Sequence, residues 1–270
     1  MTGERRAAFF VSDSTGITAE TLGSALLVNF PAIMFDRHTI PFVDTDAAAR
    51  AVADTIARAG GSGPPVVFMT VKQAALREII APPGVIGVDL LAGHLTELER
   101  ALGATASEQL GQYHGLGDLE QYHARMRAVE YAIEHDDGQS LRALHAADVI
   151  IIAPSRLGKT PTTMYLALRY GLLVANYPLT DDDFPTEDLP RPIAAYARRC
   201  FGLTTTPLRL SQVRAARRPG SRYASLEQCA LELRRAEDLY RRTAVPYLNS
   251  ATKSVEEMSA VIMQTMRLRA

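Results

Sequence analysis

The sequence predicts an α/β protein of two parallel-sheet domains, and three observations carry that expectation. Short apolar runs alternate with helical patterns through the first hundred residues, as βαβ units require. The stretch GATASEQLGQYHGLGD, from Gly103 to Asp118, then breaks the periodicity with four glycines, which suits a linker. Beyond it the apolar run DVIIIAP leads directly into SRLGKTPTT, in the strand, loop and helix order of a phosphate-binding turn.

The elements follow in order. AAFFVS reads as a strand, ITAETLGSALLVNF as a helix, HTIPFV as a strand, TDAAARAVADTIARA as a helix and PPVVFMTV as a strand. A helix is expected near Ala74 and a strand in GVIGVDLL. Past the linker, LEQYHARMRAVEYAIEH carries apolar or aromatic residues at Tyr122, Met126, Val129 and Ile133, the spacing of an amphipathic helix, with Gly138 expected to cap it. Two helices close the chain: one from about Ser225 to Arg242, and one opened by SVEE, Ser254 to Glu257, which has the capping-box form. The expected fold class is α/β, with a Rossmann-like domain over 1–105 followed by a P-loop kinase-like α/β domain over 106–270.

Composition narrows the function. A net charge of -1 on 270 residues gives no global field that gathers nucleic acid, and no apolar run is long enough to span a membrane. The N-terminus has two arginines but no long apolar segment of a signal peptide, so a cytoplasmic protein is expected. Cys200 and Cys229 form neither a disulfide framework nor a metal motif, and the six histidines are scattered, so no structural metal is expected.

The loop from Ala153 to Thr160, APSRLGKT, has the spacing GxxxxGK[ST] with alanine in the first glycine's place. Backbone N–H groups of Pro154–Gly158, from Ser155 onward, and of the following helix would face a phosphate. Ser155, Arg156 and Leu157 form the turn, Gly158 frees the backbone, Lys159 supplies the cation and Thr160 a hydroxyl for Mg²⁺. Pro161 sits in the first helical turn, where its missing N–H breaks no bond. Ala153 matters only if its position needs a positive φ, at a cost of about 1 kcal/mol. The alternative is an ordinary strand-to-helix turn with a surface lysine.

Other segments could take part. HDDG places Asp136 and Asp137 one short crossover before the loop's strand, and phosphoryl transfer needs a carboxylate to accept the hydroxyl proton or hold Mg²⁺; a polar helix end with an Asp-Gly turn is the alternative. Ser12, Asp13, Ser14, Thr15 and Gly16 follow the first strand, at the carboxyl end where ligands sit in open α/β sheets, and mark a second candidate site or a capped turn. Arg209, Arg214, Arg217, Arg218 and Arg222 fall in a segment read as a loop, able to close over a nucleotide or grip an acidic partner, or else simply solvated. LTDDDFPTEDLPRP, Leu179 to Pro192, reads as an exposed acidic loop.

Several segments in a common order resemble one family. FFVSDSTGITAETLG, AIEHDDG, ADVIIIAPSRLGKTPTTMYLA, VANYPLT, FGLTTTPLRL, SRYASLEQC and TKSVEEMSAVI are similar to the motifs of bacterial phosphoenolpyruvate synthase regulatory proteins, relatives of the plant pyruvate, phosphate dikinase regulatory protein. The resemblance covers nearly the whole chain and implies a bifunctional enzyme. As a kinase it would use ADP to phosphorylate a threonine of phosphoenolpyruvate synthase; as a phosphorylase it would use inorganic phosphate to remove that group and release pyrophosphate. The loop matching Ala153 to Thr160 would be the nucleotide site. Regulation of the dikinase, an ATP-dependent small-molecule kinase and a non-catalytic nucleotide sensor remain open alternatives, as does a homodimer.

Overall fold

The computed structural model describes residues 4–106, 119–184 and 188–268. The chain divides into two compact units, Met1–Gly117 and Asp118–Ala270. The expected boundary at 105 adjoins residues 107–118, which lie outside the described residues.

In unit 1 the order is β1 (Glu4–Ser12), α1 (Ile17–Leu27), β2 (Ile33–Ile40), α2 (Asp46–Arg58), β3 (Val66–Thr70), α3 (Ala74–Ile80), β4 (Ile86–Asp89) and α4 (Ala92–Leu102). The four strands are all parallel, in the order β2-β1-β3-β4. Alternate residues of β1 supply the two faces: Ala7, Phe9 and Val11 pack with α2 and α3, while Ala8 and Phe10 pack with α1. Gly23 is what lets α1 lie so close, because a Cβ there would stand 2.5 Å from the Phe10 ring. β2 begins five residues before the expected HTIPFV and ends at Ile40. As the sheet's edge it is only partly buried, so its polarity does not alternate cleanly.

Unit 2 comprises α5 (Leu119–Glu134), β5 (Val149–Ala153), α6 (Lys159–Tyr170), β6 (Val174–Pro178), α7 (Arg191–Ala194), β7 (Cys200–Thr204), α8 (Pro207–Ala215), α9 (Leu226–Arg242), β8 (Tyr247–Asn249) and α10 (Val255–Met266). Its strands are also all parallel, in the order β6-β5-β7-β8, the same pattern as in unit 1. β5 is wholly buried and feeds two cores: Val149, Ile151 and Ala153 face one, Ile150 and Ile152 the other. The α/β expectation is met in both units.

Local signals explain the helix ends. Ser225 caps α9 by accepting from the Gln228 N–H, and Ser254 with Glu257 forms the capping box of α10. Two expectations are corrected. Gly138 does not cap α5, which stops at Glu134; it lies in a separate 3₁₀ turn, Asp136–Gly138. The buried residues of α5 are Ala128, Tyr131 and Ala132, with His135 buried just beyond its end, while Ile133 is 59% exposed. Small alanines let α5 pack against Ala167 of α6, and the apolar count overlooked them. Tyr122 lies where no side chain is described. Among the described residues no helix is long and apolar enough to cross a membrane.

Candidate active site around the Lys159 loop

β5 is flanked by the strand that follows it and by β7, so its carboxyl end opens at the point where the strand order reverses, the usual place for a ligand in such a sheet. The loop Pro154–Gly158 lies there, and Gly158, with φ 90°, is the N-cap of α6. Ala153 is the last residue of β5, fully buried, and its carbonyl accepts from the Leu179 N–H at 3.0 Å. Its φ is not positive. The left-handed positions are instead Arg156, at φ 75°, and Gly158. The alanine therefore costs the loop no strain, and its methyl belongs to the core.

Lys159 is the first residue of α6, and it is buried to 4% exposure, which corrects the expectation of a surface-facing lysine. Its Nζ donates to the Pro154 carbonyl at 3.3 Å, folding the side chain back over the loop, and stands 3.3 Å from Asp137 Oδ1. Burial holds its ammonium below the ordinary lysine range, with Asp137 and then Asp136 opposing that shift.

The HDDG turn reaches the same place. Asp136 Oδ1 accepts from Thr160 Oγ1 at 2.7 Å and from Asn176 Nδ2 at 2.6 Å. The Asp137 N–H donates to Asn176 Oδ1 at 2.7 Å, so one amide side chain on β6 grips both aspartates. Asp137 itself adopts φ 45°, ψ 38°, a left-handed conformation that aspartate tolerates better than most residues, and Gly138 follows at φ 70°. His135 anchors the turn from beneath: both its ring nitrogens face backbone carbonyls, of Tyr131 at 2.8 Å and of Arg142 at 2.5 Å. Nearby, Tyr177 donates to Asp183 at 3.0 Å, and burial with that carboxylate pushes its phenol up to about 12.

On the opposite side Arg214 is fully buried in α8. It pairs with Glu232 at 2.7 Å, donates to the Ser155 carbonyl at 3.1 Å and lies over the Tyr223 ring, whose hydroxyl reaches Ser155 Oγ at 3.1 Å. This corrects the reading of residues 209–222 as one mobile arginine loop, because Arg209 and Arg214 are helical and Arg214 props the Pro154–Gly158 loop from behind. The acidic segment 179–192 is likewise tied down in part: Leu179 and Leu189 are buried, and Thr180 and Asp183 form a capping box. Residues 185–187 within it lie outside the described residues.

The structure thus brings Ser155, Arg156, Leu157, Gly158, Lys159 and Thr160 together with Asp136 and Asp137. One residue of this site was not singled out in the sequence: Asn176, which could have been found as a lone amide inside the apolar strand VANYP. Arg214 was singled out only as a member of the arginine segment, and nothing in the sequence marks its burial. The other candidate, Ser12 to Gly16, belongs to unit 1. There Ser12 Oγ accepts from the Ser14 N–H at 3.1 Å, Asp13 accepts from the Lys72 N–H at 2.8 Å, and Gly16, at φ 81°, opens α1. Its Ser12 and Asp13 side chains bond within unit 1, as a structural turn's would.

A hard divalent cation suits the oxygen donors here: the Thr160 hydroxyl and the Asp136 carboxylate already touch, and Asp136 Oδ2 has no partner among the described residues.

Comparison with known proteins identifies the family. The kinase/pyrophosphorylase family profile matches residues 8–263. A relative from Marinobacter nauticus is 42% identical over 267 residues, 98% of each chain. One from Pseudomonas aeruginosa is 43% identical over 261 residues, 96% of this chain and 95% of its own. One from Neisseria meningitidis is 43% identical over 268 residues, 98% and 97% of the two chains. Each of these is named "Putative phosphoenolpyruvate synthase regulatory protein". With a profile spanning both units and relatives aligned over almost their full length, the chain belongs to the kinase/pyrophosphorylase family.

Proposed function

We propose that this protein is a cytoplasmic regulator of phosphoenolpyruvate synthase, transferring the β-phosphoryl group of ADP to a threonine of the synthase and, with inorganic phosphate, removing it as pyrophosphate. The observation that carries the reading is the joining of a phosphate loop to two carboxylates: Thr160 to Asp136 at 2.7 Å and Lys159 to Asp137 at 3.3 Å. The names of the relatives support phosphoenolpyruvate synthase as the regulated partner.

The roles follow from the geometry. The loop N–H groups and the Lys159 ammonium bind and orient the β-phosphate, in a position where little water competes for the charge. Asp137, whose side chain is 53% exposed, is reachable by an incoming hydroxyl and accepts its proton. The threonine oxygen then bonds to phosphorus as the bond to AMP breaks. Thr160 and Asp136 would hold Mg²⁺, which when bound neutralises charge on the phosphate oxygens. In reverse, a phosphate oxygen attacks the phosphothreonine phosphorus, pyrophosphate forms, and Asp137 returns the proton to the departing threonine oxygen. One set of residues serves both directions.

The test is to incubate the protein with the synthase and β-labelled ADP or γ-labelled ATP, then with phosphate, using wild type and Asp137→Asn. The reading expects label on a synthase threonine from ADP alone, and loss of both activities in the variant while ADP still binds. Label drawn only from ATP, or passed to a small molecule, overturns it; loss of one activity alone assigns the two reactions to separate sites.

A further inference from the structure

The carboxylates lie on the β6 side of the phosphate loop, and the opposite side, toward β7 and β8, holds a different kind of space. A cavity of about 150 Å³ is walled by the loop itself, through Arg156, Leu157 and Gly158, and by the residues that follow the carboxyl ends of β7 and β8, Thr205 and Ser250. Its floor is apolar: Leu157, Leu210 and Met258 are all at least 96% buried, at 3%, 0% and 4% exposure. At its rim are two guanidinium groups, Arg156 and Arg209, for which no hydrogen bond or ion pair is made with any described residue.

Two hydroxyls face this space in complementary states. Ser250 Oγ donates its proton to the Thr204 carbonyl at 3.0 Å and so is left as an acceptor. Thr205 is 7% exposed and lines the cavity, and its hydroxyl makes no hydrogen bond with any described residue, so it can donate to or accept from a ligand there. Arg156 is a non-glycine residue held at φ 75°, in the left-handed region that residues without glycine's freedom adopt when the surroundings demand it.

We propose that this cavity takes the planar heterocyclic base of the nucleotide whose phosphates lie on the Pro154–Thr160 loop. The proposal rests on the phosphate-loop reading of that site. An apolar floor, a guanidinium able to stack on a ring face, and paired hydroxyls at the edge suit a flat aromatic ring with polar edge atoms, and suit a second free phosphate poorly. The cavity begins at the loop, so base and phosphates fit one molecule. The placement also leaves the carboxylate side open to the protein hydroxyl, with donor and acceptor entering from opposite flanks of β5.

The experiment is a calorimetric titration of ADP and of inorganic pyrophosphate, with Mg²⁺, into wild type, Arg209→Ala, Thr205→Val and Lys159→Met. Circular dichroism checks each fold. The expected result is that Arg209→Ala and Thr205→Val each weaken ADP about fivefold while changing pyrophosphate by much less, because pyrophosphate has no base. Lys159→Met should weaken both ligands. Equal losses of ADP and pyrophosphate in the two cavity variants, or no loss of either, overturn the base site; a greater loss of pyrophosphate makes the cavity an anion pocket. If Lys159→Met leaves both ligands bound as in wild type, the phosphate-loop reading itself fails. Should Thr205→Val not fold, Arg209→Ala decides alone, since that side chain is exposed and carries no packing.

Discussion

Asn176→Ala removes the one side chain that holds both aspartates of the HDDG turn. Asn176 is 2% exposed, so water cannot readily replace what it loses. The bond from Nδ2 to Asp136, at 2.6 Å, is charge-assisted and contributes about 1.5–3 kcal/mol; the one from the Asp137 N–H, at 2.7 Å, is neutral and adds about 0.5–1.5 kcal/mol. Together they give a loss of about 2–4.5 kcal/mol. For a unit of about 150 residues, each kcal/mol moves the melting point by about 2–4 °C, so Tm should fall by about 5–15 °C. Transfer should fall further than stability explains, by about 100-fold under conditions where the variant is fully folded, since both carboxylates lose their placement. Asn176→Asp is the companion variant: it keeps the acceptor for the Asp137 N–H and sets a carboxylate against Asp136, so it should also lose transfer. Differential scanning calorimetry with an ADP-dependent labelling assay measures both effects. A variant that melts within about 1 °C of wild type and transfers phosphate normally would refute the idea that Asn176 organises the turn.

Further outcomes follow from the same geometry. Lys159→Met should abolish transfer, at least 100-fold down, yet leave stability equal or up to about 1 kcal/mol higher, because a buried ammonium is exchanged for an apolar chain of similar volume; a large loss in thermal melting would contradict this. Ala153→Gly should neither tighten ADP binding nor raise Tm, since the strand position needs no positive φ, and calorimetric titration checks it. Burial lowers the Lys159 pKa from the ordinary 10.5, so the unfolded chain binds more protons across the window between the lowered value and 10.5. This group's contribution to stability therefore rises with pH through that window while its grip on phosphate declines, an alkaline profile that Lys159→Met should lack in melts and titrations alike. Glu232→Gln leaves the Arg214 guanidinium buried and without its counter-charge, and should cost about 3–5 kcal/mol in denaturant unfolding.

The loop was legible because its signal is local: an apolar strand, a turn with glycine and lysine, and a helix, all within twenty residues. Asp136 and Asp137 were legible as candidates, but their partners were not, since the bonds to Thr160 and Asn176 cross 24 and 40 residues of chain. Burial defeated the reading of three residues in particular. Lys159 and Arg214 look like surface cations until the carbonyls and carboxylates that receive them are placed, and Ile133 looks like core until the alanines of α5 are seen to pack instead. β2 began earlier than read because an edge strand is partly exposed on both faces, and the period-two pattern that marks a strand fades there.

Because every strand pairing in both sheets is parallel, no two neighbours can be joined by a tight hairpin, and each waits for a crossover to return the chain. In unit 2 this orders assembly in time. The Pro154–Gly158 loop is synthesised early, but the strand beside it, β7, arrives at Cys200–Thr204, its prop at Arg214 and Glu232, and the methionine behind Gly158 only at Met258. A nascent chain ending anywhere before α10 therefore carries the whole GKT signature without the scaffold that shapes it. Nucleotide binding should switch on late, as the last hundred residues leave the ribosome, and C-terminal truncations as short as α10 should lose it while retaining every residue of the motif.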